Sequence, residues 1–138
     1  MSPESEHLTR RCRIDPKLGA AGWTVVPMSA SAVAGPTAAI EEYPTSLGPA
    51  DYVLADDGDL LGVIEAKKVA LGPQGVLPQA ERYAKVIPGA TRWQGEFGVP
   101  FLYATNGEEI WFHDVRSALN RSRKTAGFHT PGALREML

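Results

Sequence analysis

"ADYVLADDGDLLGVIEAKK", residues 50–68, decides how the chain is read. Two β-rich runs, 50–55 and 60–68, flank Asp56, Asp57, Gly58 and Asp59, residue types that favour tight turns, so the stretch predicts an antiparallel hairpin. The second run is apolar as far as Ile64 and then carries Glu65, Lys67 and Lys68, charges that a buried strand normally avoids. Side chains alternate along a strand, so Glu65 and Lys67 share one face while Ile64 and Ala66 share the other. Whether Asp51 joins the charged face depends on the turn. A three-residue loop with Gly58 left-handed pairs Ala55 with Asp59 and Asp51 with Val63, which leaves Asp51 on the Glu65 face and diagonal to it. A two- or four-residue loop puts the two carboxylates on opposite faces.

Outward from this hairpin, "AIEEYPTS" (39–46) supplies a preceding strand and completes a three-stranded meander. The N-terminal "ESEHLTRRCRIDPKLGAAGW" (4–23) places Leu8, Cys12 and Ile14 at roughly helical spacing and reaches glycines at 19 and 22, which predicts a first helix broken near Pro16. "PMSASAVAGPT" (27–37) is small, uncharged and aperiodic, the pattern of a flexible loop. Past the meander, "QAERYAKVI" (79–87) returns to a helical period. "VPFLYATNGEEIWFHD" (99–114) is two β-rich runs about Asn106-Gly107, a type I′ hairpin signal. The remainder predicts a short basic helix, a loop and a terminal helix from Pro131. The fold class is α/β, a mixed central sheet with an antiparallel meander flanked by helices.

The chain has 138 residues, 43% of them hydrophobic, enough for a single domain spanning 1–138 with a real core. A net charge of −2 gives no global basic footprint, so nucleic-acid contact has to come from a local patch, either Arg116, Arg121, Arg123 and Lys124 or Arg10 and Arg11. The single cysteine, Cys12, excludes an internal disulfide framework and a multi-cysteine zinc site. His7, His113 and His129 lack metal-ligand spacing. With no signal peptide and no apolar stretch long enough to span a bilayer, a cytoplasmic protein without membrane contact is expected.

Hard oxygen ligands from Asp51 and Glu65, with the Ala66 carbonyl, suit Mg²⁺, which keeps several waters and takes phosphate oxygens as further ligands. Lys67 beside such an ion can orient the attacking water and offset charge on the phosphate. The chemistry is metal-assisted phosphodiester hydrolysis. The same charges also suit a protected hairpin edge with no catalytic role. Gln79 and Tyr83, four apart on one helix face, can touch a DNA phosphate or base edge, or Tyr83 can pack in the core with Gln79 solvated.

On these residues the chain resembles the PD-(D/E)XK nuclease domain at the N-terminus of type I restriction enzyme R (HsdR) subunits. "ADYVLADDGDLLGVIEAKK", "QAERYAK" and "VPFLYATNGEEIWFHD" carry the resemblance, with "TRRCRIDPKLGAAGW" and "GFHTPGALREML" at the two ends. It implies a restriction-endonuclease-like core, with Asp51 and Glu65 as metal carboxylates, Lys67 as the catalytic lysine, and Gln79 with Tyr83 as the Q-x-x-x-Y motif. The family's proline-aspartate reads Pro49-Ala50-Asp51 here. An N-terminal helix acid often completes such sites, and Glu6 is the candidate, Glu4 the second. The implied cofactor is Mg²⁺, with Mn²⁺ able to substitute, and the implied substrate is double-stranded DNA cut without sequence preference. R subunits join this domain to an ATP-driven motor and work with modification and specificity subunits. No G-x-x-x-x-G-K-[ST] occurs in this chain, so no ATP site is expected within it and it reads as an excised domain or a small relative. A stand-alone nuclease of this fold, or a catalytically silent DNA-binding or interaction module, are the alternatives.

Overall fold

The computed structural model describes residues 5–67, 98–117 and 119–138. Its N-terminal helix runs as three consecutive pieces, α1 (Glu6–Thr9), a π turn (Arg10–Ile14) and α2 (Asp15–Ala20). Ser5 caps the start by accepting from the Leu8 amide at 3.2 Å. The expected break near Pro16 takes the form of the wider turn. Proline has no N–H to give to the carbonyl four residues back and its ring crowds that carbonyl, and the helix answers with an Asp15 amide that reaches Arg10 O, five residues back. At the far end Trp23 N bonds Leu18 O (3.0 Å) and Gly22 N bonds Gly19 O (3.0 Å), a Schellman closure that turns the chain into the sheet.

Among the described residues seven strands form one mixed sheet in sequential order: β1 (Val25–Pro27), β2 (Ala38–Tyr43), β3 (Ala50–Asp56), β4 (Asp59–Ala66), β5 (Phe101–Thr105), β6 (Ile110–Asp114) and β7 (Arg123–Thr125). β2, β3 and β4 are the expected antiparallel meander, while β1–β2 and β4–β5 are parallel. Two apolar layers cover the sheet. Ile14, Leu18, Trp23, Tyr52, Leu54, Ile64, Tyr103 and Leu134 form one, and Ile40, Val53, Ala55, Leu60, Val63 and Leu102 the other. Because β3 and β4 send alternate residues into both layers, they read as continuous apolar runs in the sequence.

Three expectations need correction. Residues 27–37 are not simply a loop: Ser29 accepts from Ala32 N at 3.2 Å and caps a short helix, α3 (Ala30–Ala34). No helix follows β6 directly; residues 115–117 make a turn and β7 pairs with β6 through Trp111↔Lys124 and its neighbours. The terminal helix is present as α4 (Pro131–Met137), capped by Thr130. The β5–β6 hairpin also forms, but its turn is not type I′, because Asn106 does not take a positive φ and only Gly107 does (89°). Asn106 Oδ1 instead accepts from both Glu108 N (3.0 Å) and Glu109 N (2.8 Å), a side-chain substitute for the backbone turn.

Candidate active site

The decisive turn between β3 and β4 holds two residues, Asp57 (φ 49°) and Gly58 (φ 84°), a type I′ geometry with Asp56 opposite Asp59. In a regular ladder that loop would have sent Asp51 and Glu65 to opposite faces. It does not, because the register shifts: Ala55 pairs with Leu60 but Leu54 pairs with Gly62, and Leu61 is the extra residue of a β-bulge. The bulge restores the parity. The register then runs to Tyr52↔Ile64, so Asp51 and Glu65 come next, directly opposite and on one face. The loop is thus the two-residue alternative and Asp51 does not pair with Val63, yet the acids share a face, because the bulge reverses the parity expected for that loop.

At that position side chains take over from the ladder. Asp51 N donates to Glu65 Oε1 at 3.3 Å, and Ala66 N donates to Asp51 Oδ2 at 2.7 Å. Glu65 is only 2% exposed. Burial, then the Asp51 charge, then a hydrogen bond between the two carboxyl groups, hold its carboxyl well above the usual carboxylate range. A buried acid that binds its proton more tightly beside a second acid is a place where a cation can substitute for that proton.

Glu6, in the first turn of α1, belongs to the same electrostatic field. Burial and the nearby Asp51 raise its carboxyl pKa, against the opposing charges of Lys67 and Arg10. Lys67 follows the end of β4 and its amide bonds Thr105 O at 2.9 Å, tying the end of β4 to β5. Among the described residues no three His, Cys, Asp or Glu side chains group as a metal cage. Two carboxylates with a backbone carbonyl nonetheless fit Mg²⁺, which is held by one or two carboxylates, waters and substrate phosphates. Glu4, Gln79 and Tyr83, with the expected helix over 79–87, lie outside the described residues.

Arg10 and Arg11 do not form a free basic patch. Arg11 pairs with Asp15 (2.5 Å) and with Glu41, and Arg10 with Glu42 (2.5 Å). Asp15 in turn accepts from the Tyr52 hydroxyl. Of the second cluster, Arg116 is bound by Asp114 (2.7 Å) and Lys124 by Glu109 (3.3 Å), and Arg123 lies over the Phe112 ring at 5.5 Å. Arg10 also approaches Asp51, with Nη1 3.8 Å from Oδ1. No local pattern in the sequence signals that approach, because Asp51 lies 41 residues further along the chain.

The helix that carries Glu6 and Arg10 is seated by the β5–β6 turn. A Cβ on Gly107 would lie 2.6 Å from Arg13 Cβ, and Lys17 donates to Gly107 O. Glycine is required there by both the close approach and the positive φ.

Residues 28–138 match the family model for the second domain of the type I restriction enzyme EcoKI endonuclease subunit. The chain belongs to this family. The EcoKI endonuclease subunit of Escherichia coli (strain K12) is 29% identical over 178 residues, covering 93% of this chain and 15% of that protein. A solved fragment assigned as an HsdR subunit of a type I restriction enzyme from Vibrio vulnificus YJ016 superposes with a TM-score of 0.73 at 25% identity. That match covers 99% of this chain and 25% of the other. The chain thus spans about a seventh of the curated R subunit it matches. The family relationship agrees with the resemblance carried by the hairpin and its flanking motifs. No helix among the described residues is long and apolar enough to cross a membrane.

Proposed function

We propose that this chain is the endonuclease domain of a type I restriction R subunit, built on a PD-(D/E)XK core and hydrolysing DNA phosphodiester bonds with Mg²⁺. The observation that carries the reading is the Asp51–Glu65 pair, opposed on adjacent strands at the point where the β3–β4 ladder gives way to side-chain bonds. Asp51, Glu65 and the Ala66 carbonyl hold the ion, with Glu6 as a further carboxylate and Mn²⁺ as a substitute. A bound divalent cation supplies a Lewis acid for the scissile phosphate and lowers the pKa of a bound water. Lys67 orients the attacking water and offsets negative charge on the phosphate. The water oxygen bonds to phosphorus and releases one proton to solvent, the bond from phosphorus to the leaving oxygen breaks, and that oxygen takes a proton from solvent.

Gln79 and Tyr83 contact the double-stranded DNA. Cutting has no intrinsic sequence preference, because backbone contacts carry no sequence information. Site choice comes from modification and specificity subunits, loading from a motor domain in cis, and the setting is the cytoplasm. The test is nicking of supercoiled plasmid alongside calorimetric metal titration. The parent chain is expected to nick slowly with Mg²⁺ or Mn²⁺ and hardly at all with Ca²⁺, whose looser coordination positions water poorly. Lys67→Ala should abolish nicking and keep metal binding, while Asp51→Ala and Glu65→Ala lose both. If Lys67→Ala nicks as fast as the parent, the catalytic assignment fails. A parent that binds DNA but never cuts, even when joined to its motor, is a binding module.

A further inference from the structure

The β2–β3 ladder is interrupted beside Asp51. Glu41 pairs with Tyr52 and Tyr43 with Ala50, which puts Glu42 opposite Asp51, yet no pair forms there. Glu42 has φ 53°, in the left-handed region, and its backbone cannot continue the ladder. Arg10 reaches into the gap from the π turn. Its Nη2 donates to Asp51 O at 3.5 Å and lies 3.7 Å from Glu41 Oε1. Its Nη1 donates to Glu42 Oε1 at 2.5 Å and lies 3.8 Å from Asp51 Oδ1. The guanidinium stacks 5.0 Å from the Tyr52 ring centroid, and the side chain is 12% exposed.

We infer that Arg10 is a positioning residue for Asp51: its guanidinium spans the break that Glu42 makes in the sheet and fixes both the main chain and the carboxylate of the metal-binding aspartate. This rests on the metal-site reading above. Asp51 Oδ2 accepts from the Ala66 amide while Arg10 Nη1 lies 3.8 Å from Oδ1, so the two contacts, beside the Glu65 carboxyl, favour one carboxylate orientation. A planar fork is needed to touch Asp51 O, Asp51 Oδ1 and Glu42 Oε1 from one side chain. A lysine ammonium supplies the charge without the fork. The π turn supplies the reach, because the extra residue in that turn rotates Arg10 relative to the regular helix that follows it.

The test uses Arg10→Lys, which keeps the positive charge beside Asp51 and removes only the fork. Mn²⁺ affinity by calorimetry is the primary measurement, with thermal unfolding of the same samples to show that the variant is folded. Removing a partner that orients a metal ligand commonly weakens metal affinity about tenfold or more, and that is the loss expected for folded Arg10→Lys. Arg10→Ala should lose affinity too, and millimolar guanidinium should restore part of it by refilling the gap. A folded Arg10→Lys that binds Mn²⁺ as tightly as the parent overturns the assignment, as does an Arg10→Ala chain that guanidinium does not rescue. A parent chain that binds no Mn²⁺ overturns the metal-site reading itself, which the Lys67→Ala comparison tests separately.

Discussion

The amide of Asp51 donates to Glu65 Oε1 at 3.3 Å, so the two acids are joined across β3 and β4 by the chain's own groups. The bond is made by the last groups before the strands stop pairing, and it holds a buried carboxyl against a second one. The behaviour of Glu65 follows from that arrangement.

A carboxyl whose folded-state pKa lies above its unfolded value binds its proton more tightly in the native protein. Its contribution to metal-free stability is therefore complete below the ordinary glutamate value of 4.5 and is lost as pH rises toward the elevated native value. Melting temperature in chelator should fall across the neutral range, Mg²⁺ should oppose the fall, and Glu65→Gln should flatten it. Melts at a series of pH values, with and without Mg²⁺, measure all three. A Glu65→Gln chain with the parent's pH slope would remove Glu65 from this role.

Leu61 is 2% exposed and is the extra residue of the bulge. Deleting it leaves an even number of residues between Asp51 and Glu65, which suits a regular hairpin with the same two-residue turn. The deletion should cost about 2 to 5 kcal/mol for a lost buried leucine and yet keep both acids on one face. Urea unfolding gives the first quantity and Mn²⁺ titration the second. A folded deletion variant that has lost Mn²⁺ binding would contradict the parity argument.

Gly107→Ala introduces a Cβ 2.6 Å from Arg13 Cβ on a backbone with φ 89°. Strain and overpacking together should destabilise the chain by about 1 to 3 kcal/mol. The helix that presents Glu6 and Arg10 should shift, so metal affinity should weaken alongside stability. Denaturant titration and calorimetry on the same sample test the pairing of the two effects.

Arg135 on α4 reaches Asp56 (2.7 Å) and Asp59 (2.6 Å), on either side of the β3–β4 turn. A hydrogen bond from Thr37, and then Arg135, hold the Asp56 carboxyl below its ordinary value. Stability from Asp56 is present above the unfolded carboxylate pKa and is lost as the solution is acidified through the lowered one. Arg135→Ala should move the Asp56 pKa upward toward 3.8 without reaching it, since Thr37 remains. An NMR titration of the Asp56 side chain reads the change directly.

The central strands could be read because β3 and β4 carry the apolar runs 52–55 and 60–64, bounded by turn residues. β1 and β7 could not, since each is three residues long and has no pattern until its neighbour supplies one. The bulge at Leu61 is equally invisible: Leu60 and Leu61 are both apolar, and only the opposite faces of the finished sheet separate them. The Asp51 and Glu65 side chains were identifiable as a pair, whereas Arg10 looked like half of a surface patch. Its acidic partners lie on strands more than thirty residues away, and no local pattern connects them.

The contact between Lys17 and Gly107 spans ninety residues of sequence. During synthesis the N-terminal helix leaves the ribosome long before the turn that seats it, and contacts of such separation are late and slow to form. The helix that carries Arg10 and Glu6 thus gains its contact with the β5–β6 turn only once residue 107 has emerged, and a nascent chain stopped before it lacks that support.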